Sequence, residues 1–176
     1  MHKTKVELPN FHAVLDKSGK ADAPWLFRGG QPRPGGFDIL KSSYGIQTVI
    51  CLRKDNAHWE QEYVGNLGLK FVYMPLPLKL NELSQKEFAQ KLQMFLQAVA
   101  DGPRNVFVHC YEGVDRTGLM NAFYRICMQA WTFDEAFLEM EACGYQGFIH
   151  QVILSKFKDT LYEWWSESRC GSVIIK

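Results

Sequence analysis

The chain has 176 residues, 47% hydrophobic and 14% aromatic, enough for one domain with a substantial core at roughly 100–200 residues per domain. Lys+Arg 20 against Asp+Glu 19 leave a formal charge of +1, so overall charge does not point to nucleic acid or an anionic membrane, and attraction for anions must be local. No apolar run approaches the ~20 residues of a membrane helix and no apolar signal core stands at the N-terminus, so a soluble, cytoplasmic protein without an integral membrane segment is expected.

In chain order, residues 1–24 are polar and aperiodic and read as an arm laid over the domain. Trp25-Leu26-Phe27-Arg28 is a short strand, stopped by the turn cluster Gly29-Gly30-Gln31-Pro32-Arg33-Pro34-Gly35-Gly36. Phe37, Ile39, Leu40 and Tyr44 mark a short helix ended by Gly45, and Thr48-Val49-Ile50-Cys51-Leu52 is an apolar run of strand length. A helix through Trp59, Tyr63 and Leu67 stops at Gly68, and a strand over 70–74 leads into the loop Pro75-Leu76-Pro77. Ser84-Gln85-Lys86-Glu87 is a capping box opening a helix whose stripe is Phe88, Leu92, Phe95, Leu96 and Val99.

A buried strand is expected over 105–108 and a helix over 119–129. Thr132-Phe133-Asp134-Glu135 opens another helix, which stops near Gly144, and a last one uses Ile149, Val152, Ile153, Phe157, Leu161 and Trp164. Strands alternating with helices predict an α/β domain over 25–168, with a mainly parallel sheet of about four to five strands covered on both faces and a tail at 169–176. The five cysteines, Cys51, Cys110, Cys127, Cys143 and Cys170, include no zinc-type CxxC pair and suggest buried, reduced thiols. No metal and no cofactor is called for.

The chemistry sits in His109-Cys110-Tyr111-Glu112-Gly113-Val114-Asp115-Arg116-Thr117-Gly118. A loop between a strand and a helix start gathers backbone N–H groups at the positive end of the helix, a cradle for a phosphate dianion. Tyr111, Glu112, Gly113, Val114, Asp115 and Arg116 form that cradle, and Cys110 lies beneath it. A thiol with a pKa near about 8.5 needs help to become a nucleophile. The helix start, the N–H groups and the Arg116 cation all favour the thiolate, and Arg116 can grip two phosphoryl oxygens in a fork. Attack gives a phosphocysteine that water then hydrolyses. The Thr117 hydroxyl can donate to the sulfur, and His109 is expected to orient the loop rather than act as a base.

The run resembles the HCxxGxxRT/S pattern of the cysteine-dependent protein tyrosine phosphatase superfamily. Phe27-Arg28-Gly29-Gly30-Gln31-Pro32 and Gly45-Ile46-Gln47-Thr48-Val49-Ile50-Cys51-Leu52-Arg53 are similar to motifs of its compact, atypical dual-specificity branch. The resemblance implies a protein-tyrosine-phosphatase-like fold and phosphomonoester hydrolysis. In much of the superfamily an aspartate on a separate loop is the general acid, yet Met74-Pro75-Leu76-Pro77-Leu78-Lys79-Leu80-Asn81-Glu82 holds none. Asp115 is the preferred candidate, because Asp-Arg-Thr resembles members that place the acid inside the loop; Glu82 is the alternative.

Two substrate classes stay level: phosphotyrosine or dual-specificity phosphoprotein, and inositol phosphate or phosphoinositide. Arg53, Lys54, His58 and Lys79 follow predicted strands and either read additional phosphates or are solvated surface charges. Cys51 is a candidate redox partner of Cys110, from a resolving cysteine at the similar position in some lipid phosphatases, or else a buried structural thiol. Gln146 or Gln151 could position the hydrolytic water. A non-catalytic phosphate-binding pseudophosphatase and a rhodanese-like or Cdc25-like domain are the rivals, and the sequence says nothing of oligomeric state.

Overall fold

A computed structural model describes residues 8–15, 26–55, 57–78, 82–103 and 105–146. Trp25, Lys79, Gln151, Cys170, the last expected helix and the tail lie outside the described residues. The order is β1 (His12–Ala13), β2 (Leu26–Gly29), α1 (Pro34–Tyr44), β3 (Thr48–Cys51), α2 (Ala57–Asn66), β4 (Lys70–Tyr73), α3 (Gln85–Asp101), β5 (Val106–His109), α4 (Asp115–Gln129) and α5 (Phe133–Ala142). No helix among the described residues is long and apolar enough to cross a membrane.

The five strands run β1-β2-β5-β3-β4. β2, β5, β3 and β4 are mutually parallel and β1 adds antiparallel to β2. Within residues 1–24, His12-Ala13 pairs with β2, a polar, two-residue strand with no periodicity for a sequence to show. Register places Gly29 and Cys51 both opposite His109, and Tyr73 opposite Cys51. Four parallel strands therefore end in one row, and the loops after them converge at the carboxyl edge, where the strand order switches.

Strand alternation splits the core in two. Leu26, Ile50, Val106 and Val108 pack with Leu92, Phe95, Phe123, Phe137 and Met140 from α3, α4 and α5. Phe27, Val49 and Phe107 face the other way, onto Phe37 and Leu40 of α1 and Val64 of α2. Both capping boxes form: Ser84 Oγ accepts from Glu87 N at 3.2 Å and Thr132 Oγ1 from Glu135 N at 3.3 Å.

Three of the boundaries that differ from expectation have a physical reason. α1 starts at Pro34, inside the expected turn cluster, because proline at the first helical position is preorganised and lacks only an N–H the helix would not use. The strand expected over 105–108 is shifted by one, because Asn105 sits at φ 63 and turns the chain into β5. α4 starts at Asp115, four residues before the expected 119, so Asp115, Arg116 and Thr117 stand on its first turn.

Candidate active site

The loop Cys110–Val114 joins β5 to α4 at the row of strand ends. Val114 caps α4 without a side-chain hydrogen bond, which leaves first-turn N–H groups for an anion. Cys110 is 3% exposed, and Gly113 N–H donates to its Sγ at 3.3 Å. Burial pushes the thiol pKa up, but the Thr117 hydroxyl and backbone, the Arg116 cation and the Gly113 N–H outweigh it, and the net shift is downward. The Thr117 hydroxyl is buried beside the sulfur, in position to donate to the thiolate. Arg116 is 6% exposed, and among the described residues no carboxylate forms an ion pair with it.

His109 lies 0% exposed behind the nucleophile. Its Nε2 meets Glu60 Oε1 at 2.6 Å and its Nδ1 the Cys110 carbonyl at 3.1 Å. Both partners accept, so an imidazolium satisfies both. Burial alone would lower the His109 pKa; the hydrogen bonds of Cys51 and Glu60, with the Glu60 charge, push it up to about 10. Glu60, 1% exposed on α2, has no role in the sequence reading. A glutamate one position after Trp59 in an amphipathic helix gives no sign that it faces inward.

Cys51 Sγ donates to Glu60 Oε2 at 3.6 Å. Strand alternation puts Cys51 with His109 on the α1–α2 face, while Cys110 belongs to the core on the opposite face. The structure brings Cys51 to Glu60 and His109. Among the described residues these three form one group of metal-type donor atoms within 4.8 Å of one another, and hydrogen bonding accounts for the cluster.

Glycines explain how the loop closes. A Cβ on Gly113, at φ 77, would meet Gly29 C at 2.3 Å and Gly30 N at 2.4 Å. Gln31 N–H donates to Tyr111 O at 2.8 Å. The segment after β2 is thus the floor against which the loop is moulded, the physical content of Arg28-Gly29-Gly30-Gln31-Pro32. Asn10, on the supposed arm, donates to the Gly113 carbonyl at 3.0 Å.

Asp115 is exposed at the mouth. Burial, then the Glu112 charge, raises its pKa against the opposing Arg116. Glu82 is exposed in a short turn before α3. Arg53 reaches the rim, its guanidinium carbon 5.0 Å from the centre of the Tyr111 ring, but it is also held by Gln31 Oε1 at 3.1 Å and Asp55 Oδ2 at 2.5 Å. Lys54, His58 and Gln146 are exposed. An open cleft of about 520 Å3 adjoins the loop, lined by Pro9, Gln31, Pro32, Arg33, Pro34, Trp59, Tyr111 and Glu112.

A buried thiol, a bare helix start and an arginine without a carboxylate partner among the described residues surround one loop, an arrangement suited to phosphoryl transfer. The family model "DSP-PTPase phosphatase fused to NAD+ Kinase" matches residues 3–152. The chain belongs to this dual-specificity phosphatase family. The dual specificity protein phosphatase TpbA of Pseudomonas aeruginosa is 29% identical over 123 residues, covering 70% of this chain and 53% of TpbA. The chain thus spans about half the length of the curated relatives it matches.

The crystal structure of P. aeruginosa TpbA in complex with pTyr superposes with a TM-score of 0.56 at 27% identity, over 68% of each chain. The catalytic core of the PP-IP phosphatase SIW14 from S. cerevisiae, in complex with citrate, shares the fold with a TM-score of 0.69 at 18% identity, over 94% of this chain and 96% of that one. The expected protein-tyrosine-phosphatase-like fold is the one found.

Proposed function

We propose that the protein is a cysteine-dependent phosphomonoesterase that works through a phosphocysteine and prefers aryl phosphates, phosphotyrosine in proteins above all. The observation that carries the reading is the thiol of Cys110, buried at the floor of the cradle with its pKa depressed, below an Arg116 that has no carboxylate partner among the described residues.

Bound phosphate would take the N–H groups of the loop and the start of α4, with the Arg116 fork on two oxygens and phosphorus in line above Sγ. Sulfur attacks phosphorus, the P–O ester bond breaks, and the departing oxygen takes a proton from Asp115. The carboxylate left on Asp115 then accepts a proton from the water that cleaves the S–P bond, returning thiolate and inorganic phosphate. The raised pKa of Asp115 suits a donor near neutral pH. His109 keeps its proton throughout, because both of its nitrogens face acceptors.

The neighbouring cleft supports the substrate preference. Its walls are prolines and the rings of Trp59 and Tyr111, and its charges are one Arg33 against one Glu112. That is a surface for a flat aromatic ring and a peptide, not for a ring of phosphates. Arg53, one of the four sequence candidates for a second phosphate contact, is engaged by Asp55 and Gln31. The pTyr complex of TpbA points the same way.

Phosphate release from phosphotyrosine peptides, inositol hexakisphosphate and phosphoinositide vesicles tests this directly. The expected order has phosphotyrosine peptides turned over at least about tenfold faster, as kcat/KM, than either inositol class. Faster turnover of an inositol polyphosphate would overturn the preference while leaving the mechanism in place.

A further inference from the structure

Behind the loop lies a charge that the mechanism above does not use. Arg28 is 2% exposed at the end of β2. Its Nη2 donates to the Gly113 carbonyl at 2.7 Å, while Nε and Nη1 have no hydrogen-bond partner among the described residues. A Cβ added at Gly118 would lie 3.6 Å from Nη2, which places the guanidinium under the first turns of α4.

A buried guanidinium stays charged and is costly to bury without an anion nearby. Among the described residues no carboxylate is within ion-pair distance of Arg28. The charged and titratable groups facing it are His12 from β1, Cys110 from the loop, Arg125 from α4, Glu139 from α5 and Cys143 just after α5. Arg125 and Glu139 neutralise one another in an ion pair. Cys143 weighs most in offsetting the burial of Arg28, then Glu139, then Cys110; burial pushes the Cys143 thiol up, whereas the Cys110 thiol is shifted down, toward the thiolate.

We propose that Arg28 is a positioning residue for the reaction: it pins the Gly113 carbonyl from beneath the loop and supplies a second cation behind the Cys110 thiolate. Gly113 stands at φ 77, and its N–H, on the other side of the same residue, points at Sγ. Fixing the carbonyl fixes that N–H. Asn10 donates to the same oxygen at 3.0 Å, so the hold is double. Arg116 acts on the phosphate from above, and Arg28 acts on the sulfur through the loop from below. Cys110 stands after Cys143 and Glu139 among the groups that offset the lowering burial imposes on Arg28.

The test is the pH profile of iodoacetamide alkylation at Cys110, mapped by mass spectrometry, in the wild type, Arg28→Met and Arg28→Lys, with folding followed by circular dichroism. Alkylation reads the thiolate without turnover, so it stands apart from the choice of substrate. In Arg28→Met the profile should move to higher pH, with the rate at pH 6 falling about tenfold, the equivalent of one unit in the thiol's midpoint. A profile superimposing on the wild type would overturn the proposal. If Arg28→Met does not fold, Arg28→Lys carries the test: it keeps the charge but not the fixed fork. There the wild-type alkylation profile should persist while turnover drops about tenfold; a shifted profile or unchanged turnover would contradict the assignment.

Discussion

Asp115 and Arg116 are neighbours in sequence with opposite tasks, and the first turn of α4 is what separates them. Arg116 points inward and is 6% exposed, while Asp115 faces the mouth. A carboxyl half out of water, beside Glu112, holds its proton longer than a free aspartate, which is what a leaving-group acid requires. Asp115→Asn should therefore slow phenyl phosphate by on the order of a hundredfold, the usual scale of general-acid catalysis, and p-nitrophenyl phosphate far less. Equal losses on the two substrates, with Glu82→Gln selective instead, would move the acid to Glu82. At this scale the sequence was informative wherever chemistry dictates spacing: Cys110, Gly113, Arg116 and Thr117 stand where the strand–loop–helix pattern puts them. Glu60, Arg28 and Asn10 were not legible, because each acts through contacts between residues far apart in the chain.

Among the elements, α2 and β2 do the most for the loop. α2 brings Glu60 to His109 across the sheet at 2.6 Å, and β2 delivers the Gly29-Gly30 floor. The His109 pKa in the folded protein, about 10, lies above its ordinary 6.5. A group raised in this way contributes stability that is fully present below pH 6.5 and is lost as the pH rises through 10. Urea denaturation of the wild type should show that decline between those values, and the gap between the wild type and Glu60→Gln should close across the same window. A gap independent of pH would mean that Glu60 acts through packing alone. Helix existence was readable from periodicity and caps, but the start of α4 was not. Val114 offers no capping oxygen, so the usual start signal is missing at the one helix whose N-terminus is kept for a ligand.

For the molecule as a whole, the sheet is the scaffold and its two unequal cores have separate duties. The larger, where Phe88 and Phe123 meet at a centroid distance of 5.0 Å, locks α3 and α4 against β5 and so carries the loop's far end. Phe123→Ala should destabilise the fold by about 3–5 kcal/mol in urea denaturation, with the nucleophile's chemistry intact wherever the protein stays folded. A loss under about 1 kcal/mol would show that α4 is held by the loop and not by its packing. The α/β class and the parallel sheet followed from alternating segments; β1 did not, since only pairing with β2 makes His12-Ala13 a strand.

Phosphate on its way from ester to water should pass through Cys110. Rapid acid quench of the protein turning over p-nitrophenyl phosphate, followed by peptide mass spectrometry, tests it most directly. One phosphate should be found on Cys110, accumulating further in Asp115→Asn, where the attacking water loses its base, and absent from Cys110→Ser along with all turnover. Undiminished hydrolysis by Cys110→Ser, or phosphate trapped on any other residue, would contradict the account.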